Sequence, residues 1–92
     1  MQKSTHTPEY AALRRELRGA RETASLSQRE LAERLDVPHS WVAKVETGER
    51  RIDLVEFSWF LSACGVDARE VCERFVRLMA EPKPRRAKGA RS

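Results

Sequence analysis

The stretch that decides the fold runs from Leu26 to Arg50: Leu26-Ser-Gln-Arg-Glu-Leu-Ala-Glu-Arg-Leu-Asp-Val-Pro-His-Ser-Trp-Val-Ala-Lys-Val-Glu-Thr-Gly-Glu-Arg50. Ser27 followed three residues later by Glu30 is a capping box, in which each side chain satisfies the other residue's backbone N–H, so a helix begins here. Leu31, Ala32 and Leu35 form its inward face. Asp36 stands where the chain reverses and needs a positive φ, a conformation that Asp tolerates better than most residues. Pro38 sets the start of the next helix. In that helix Val42 and Val45 point inward, leaving His39, Ser40, Ala43 and Lys44 on the outer face. Small Ala32 lets the two helices approach closely.

Outward from this pair, the spacing predicts a first helix from about Pro8 to Ala24. Thr7 is its N-cap, Pro8 suits the first helical position and Glu9 favours the positive end of the dipole. Tyr10, Leu13, Leu17, Ala20 and Ala24 make one apolar face, while Arg14, Arg15, Arg18 and Arg21 read as a solvated face with ion pairs to Glu16 and Glu22. A fourth helix starts at Asp53, with Glu56 completing a second box. Leu54, Phe57, Leu61 and Cys64 form its inward stripe, widened by Phe60, and Gly65 ends it. A fifth starts at Asp67, with Glu70 as a third box. Val71, Phe75, Leu78 and Met79 face one way, with Cys72 and Val76 beside them. No segment alternates as a strand would. The expectation is an all-α, five-helix orthogonal bundle over residues 8–80.

Composition sets the bounds. With 92 residues, 40% hydrophobic and 35% charged, the chain suits one small helix-rich domain with no separate sensor domain. No apolar run approaches the roughly 20 residues that a membrane span needs, and Met1 to Pro8 lacks an apolar signal region. A cytoplasmic protein is expected. Cys64 and Cys72 lie among apolar residues and read as buried free thiols. With His6 and His39 they form no ligand spacing, so neither a metal site nor a cofactor is expected. The net charge is +4. Lys83, Arg85, Arg86, Lys88 and Arg91 against Glu81 account for all of it, so residues 1–80 sum to zero. Residues 81–92 also contain Pro82, Pro84 and Gly89 and are expected to be a disordered basic tail. Residues 1–7 read as a flexible arm. Nucleophile, phosphate-loop and metal motifs are missing from the sequence, so an enzyme is not expected.

Two short helices joined by a tight turn, the second with a polar outer face, suit insertion of one helix into the major groove of DNA. The segment Leu26–Val66 resembles the Cro/CI-type, or XRE-type, helix-turn-helix family. The matching residues are Leu26-Ser-Gln28, Glu30-Leu-Ala32, Val37, Ser40, Val42, Val45-Glu46, Gly48, Arg51 and Ala63-Cys-Gly-Val66. The resemblance implies a lambda-repressor-like DNA-binding domain, homodimers on inverted-repeat operators and transcriptional regulation. It assigns base reading to His39, Ser40 and Lys44. It assigns contacts with the DNA backbone to Gln28, Thr47, Gly48, Arg50 and Arg51. It pairs Arg21 with Glu46 as an internal ion pair. The chain departs from the family pattern at Asp36, which replaces the turn glycine, and at Trp41, which either lies against the sugar-phosphate backbone or folds back on the second helix.

The surplus apolar surface of the fifth helix, Val71, Phe75, Val76 and Met79, together with Trp59, reads as a dimer interface; completion of the core is the alternative. Expected partners are double-stranded DNA and a second copy of the chain. The alternative function is an antitoxin or co-regulator that holds a protein partner as well as operator DNA. The basic tail is either a phosphate-binding extension or unused polymer.

Overall fold

A computed structural model describes residues 6–79, apart from the side chains of Leu78 and Met79. The basic tail at 81–92, most of the arm at 1–7 and the Met79 side chain lie outside the described residues. Five helices follow in order: α1 (Pro8–Thr23), α2 (Gln28–Leu35), α3 (His39–Thr47), α4 (Leu54–Ala63) and α5 (Ala68–Met79), with no strand among the described residues. None is long and apolar enough to cross a membrane. α3 packs on α2 and α1, α4 rests against α1 and α2, and α5 packs on α4.

The helix starts follow local chemistry. The Thr7 hydroxyl accepts the Tyr10 N–H at 3.1 Å, and Pro8 occupies the first turn, where its missing N–H costs nothing. Both reciprocal boxes close: Ser27 with Glu30 at 2.8 and 3.0 Å, Asp53 with Glu56 at 3.1 and 2.8 Å. The box expected at Asp67 does not close this way. Its carboxylate is taken instead by Arg69, which donates its backbone N–H at 2.9 Å and pairs through its guanidinium at 3.2 Å.

Three helix ends share one device. At the end of α2, Asp36 sits at φ 57° and ψ 47°, its N–H donates to the Glu33 carbonyl, and the Val37 N–H reaches back to the Ala32 carbonyl at 3.0 Å. Gly65 at φ 75° and Ser25 at φ 60° make the same pair of bonds at the ends of α4 and α1. Each left-handed residue satisfies carbonyls that the helix would otherwise leave unpaired and turns the chain sharply. Asp36 therefore does the work of the usual glycine between α2 and α3.

Leu17, Leu31, Val42, Val45, Phe60, Leu61 and Val71 are the fully buried centre, so every helix contributes to one core. Two assignments change. Leu54, expected inside α4, is 73% exposed at the start of that helix. Val71, expected at a dimer surface, is 1% exposed and fills the core where α5 closes over α4.

Candidate nucleic-acid interface

The outer face of α3 is built from its inner one. Val42 and Val45 are fully buried and fix the rotation of the helix. That rotation leaves His39, Ser40 and Lys44 exposed on the opposite side, with Ser40 and Lys44 one turn apart. The three expected base-reading residues thus share an open, convex surface.

Glu46, in the last turn of α3, is the junction of three helices. Arg21 of α1 donates from Nε to Glu46 Oε2 at 2.6 Å and from Nη2 to Oε1 at 3.0 Å. Its third nitrogen, Nη1, donates to the Leu26 carbonyl at 2.8 Å, fixing the loop into α2. Gln28, in the first turn of α2, donates from Nε2 to Glu46 Oε1 at 2.9 Å. The side chains of Arg21 and Glu46 are only 10% and 4% exposed. The Glu46 hydrogen bonds hold the Arg21 guanidinium more firmly protonated than usual, against the cost of its burial. Gln28 is therefore anchored to α3 at the edge of the surface where a phosphate contact is expected.

The segment after α3 is shaped from both sides. Gly48, at φ 89°, is buried and ends the helix. The Thr47 hydroxyl donates to the Lys44 carbonyl at 3.2 Å. Arg50 forks onto Glu56 at 3.1 and 2.9 Å, and its guanidinium lies 5.0 Å from the centre of the Trp41 ring. Glu56 raises the proton affinity of Arg50, and Arg50 pulls the Glu56 carboxyl below its ordinary range. Arg50 is thus turned toward the protein, not extended as the sequence suggests, and it braces the loop. Trp41 is partly buried, packed against the core with Arg50 over its ring. Arg51 remains exposed, 4.9 Å from the centre of the Tyr10 ring.

One set of contacts escaped the sequence. The Tyr10 hydroxyl accepts the buried Ile52 N–H at 2.9 Å, and Arg14 Nη1 donates to the Glu46 carbonyl at 3.4 Å. Tyr10, Arg14 and Arg21, four and seven residues apart, turn toward α3 and its following loop, so the arginine run of α1 is not one solvated face. Their shared helical phase is the signal that marks them.

Exposed apolar side chains lie on α4 and α5, and they include Leu54 and Val55, which the sequence does not place on the surface. Leu54, Val55, Trp59 and Val76 are 73%, 55%, 58% and 67% exposed. Beside them an open groove of about 320 Å³ is lined by Leu13, Ile52, Phe57, Cys72 and Phe75 with Leu54, Val76 and the carboxylate-bearing Asp53. Of the expected interface residues, Trp59 and Val76 are on the surface and Phe75 is half-buried.

The family model described as a helix-turn-helix domain matches residues 12–78. Among solved structures, an XRE-family like protein from Pseudomonas syringae pv. tomato str. DC3000 is similar, with 38% identity and a TM-score of 0.76. The match covers 84% of this chain and 92% of that one. No curated protein matches. The α2–turn–α3 unit, the buried Glu46 junction behind it and these two likenesses identify the chain as a member of the helix-turn-helix domain family, of the XRE type.

Proposed function

We propose that this protein is a sequence-specific DNA-binding regulator of transcription, acting in the cytoplasm as a homodimeric repressor on an inverted-repeat operator. The observation that carries the reading is the fixed presentation of α3. Two buried valines and a three-helix junction at Glu46 hold it rigid, with His39, Ser40 and Lys44 outward. Rigid placement suits reading base edges in a groove about 12 Å wide. Lys44 donates to guanine O6 and N7, and Ser40 and His39 add weaker preferences. Gln28, Thr47, Gly48 and Arg51 position the domain on phosphates, with Arg50 and Trp41 bracing the loop that carries them.

Homodimer formation rests on the apolar patch of Leu54, Val55, Trp59 and Val76, which a small domain rarely leaves in water. Reading two half-sites one turn of DNA apart requires a two-fold dimer that holds its two α3 helices about 34 Å apart. The same patch favours a second reading, in which a protein partner covers it and the chain is an antitoxin or co-regulator.

Selection of bound duplexes from a random pool tests the reading. A conserved half-site repeated as a palindrome supports it, and recovery without any base preference rejects it. Size-exclusion chromatography of the chain alone and with the products of adjacent genes separates the dimer from the partner complex.

A further inference from the structure

We propose that Arg14 is a further phosphate-contacting residue of the DNA-binding surface, acting from α1 at the end of α3. The proposal rests on the DNA-binding reading above and extends the contact surface from the helix-turn-helix unit to α1.

Three observations carry it. First, Arg14 is brought to the right place. It lies one turn after Tyr10 on α1, and Tyr10 holds the Ile52 N–H at 2.9 Å while stacking under Arg51 at 4.9 Å. Arg14 reaches the Glu46 carbonyl, in the last turn of α3, where the loop toward DNA begins. Arg14 at the Glu46 carbonyl and Arg51 over the Tyr10 ring therefore both lie where α1 meets the end of α3 and the loop after it.

Second, Arg14 is electrostatically incomplete. Arg18, Arg21, Arg50, Arg69, Arg74 and Arg77 each pair with a carboxylate. Arg14 pairs with none of the described carboxylates; its bond to the carbonyl is long, 3.4 Å, and the nearby Glu46 carboxylate is taken by Arg21 and Gln28. Third, Arg14 Nε is buried with no hydrogen-bond partner among the described residues. A partly desolvated cation without a counter-ion is costly, and an anion arriving from outside relieves that cost. A backbone phosphate supplies the anion without carrying sequence information. Capping the Glu46 carbonyl uses only one nitrogen of the fork and leaves donors for that phosphate.

The test uses the full chain and the duplex recovered from the random pool. Arg14→Gln removes the charge but keeps a donor for the Glu46 carbonyl. The slope of log K against log salt falls in magnitude by about 0.9 in the variant, one phosphate's worth, with the preferred sequence unchanged. A folded variant with the wild-type slope overturns the proposal. A second measurement needs no variant: an arginine-directed dicarbonyl reagent modifies the wild-type chain with and without the duplex. Protection of Arg14 by the duplex supports the proposal, and equal modification overturns it. A wild-type chain that binds no duplex removes the DNA reading itself, whereas specific binding with an unchanged slope removes only the role of Arg14.

Discussion

Arg21 and Glu46, 25 residues apart on α1 and α3, meet in a two-pronged ion pair with bonds of 2.6 and 3.0 Å, almost wholly out of water. Truncating either partner leaves the other charge buried, and such losses run to about 3–5 kcal/mol. Arg21→Ala and Glu46→Ala are therefore expected to lower the urea midpoint steeply. The exposed pair Arg18–Glu22, 64% and 55% exposed, is the internal control. Glu22→Ala shifts stability by about 0–1 kcal/mol. Midpoints for the Glu46 and Glu22 variants that coincide would show that the junction is not structural.

The left-handed helix ends give a prediction with both signs. Ser25 and Asp36 occupy a conformation that suits glycine better. Ser25→Gly is expected to stabilise by about 0.5–1 kcal/mol, because relief of left-handed strain, roughly 1–2 kcal/mol, outweighs the freedom glycine gains in the unfolded chain. Gly65→Ala is expected to destabilise by about 1–2 kcal/mol. A Cβ at Gly65 meets nothing within 4 Å, so the whole penalty comes from φ 75°. Thermal melts of the two variants moving in the same direction would contradict the assignment.

Acid sensitivity should trace partly to Glu56. Its hydrogen bonds from Arg50 and from the Asp53 N–H hold its carboxyl below the ordinary value of 4.5. A depressed folded-state value means stability that is complete above the unfolded value and lost as pH falls through the folded one. Glu56→Gln is expected to flatten the fall in stability below pH 4.5 while costing some stability at neutral pH. An unchanged acid limb by urea titration would exclude the Arg50–Glu56 clamp as its source.

Assembly is expected to follow the α4–α5 patch. Trp59→Glu places a charge in the proposed interface, so sedimentation is expected to change from dimer to monomer with the helical spectrum intact. The wild-type chain sedimenting as a monomer at tens of micromolar, a range of roughly ordinary dimer affinity, would remove the two-fold arrangement.

Much of the fold is local chemistry and so is readable along the chain. Ser27 and Glu30, Asp53 and Glu56, Asp36 and Gly65 announce helix ends because each acts within a few residues of itself. What is not readable depends on which neighbour arrives. Leu54 has the helical phase of an inward residue but lies in a first turn that nothing covers. Val71 lies in a stripe too broad to show which edge meets α4. Arg50 and Arg51 are adjacent and chemically identical, yet one folds onto Glu56 and Trp41 and the other lies over Tyr10 on the surface. Arg14 looks like any solvated arginine until α1 is laid across the end of α3. The pairing of Arg21 with Glu46 comes from the family resemblance, because no spacing rule links residues so far apart in the chain.

The division between reading and positioning is the centre of the account, and one binding panel tests it most directly. Lys44→Ala and Arg51→Ala are titrated against the selected operator and every single-base change in one half-site. Lys44→Ala is expected to cost about 1–3 kcal/mol against the cognate operator and to erase discrimination at one base position. Arg51→Ala is expected to weaken all the duplexes about equally and to leave the discrimination profile intact. The same uniform loss from both variants, with every base preference retained, would contradict the account.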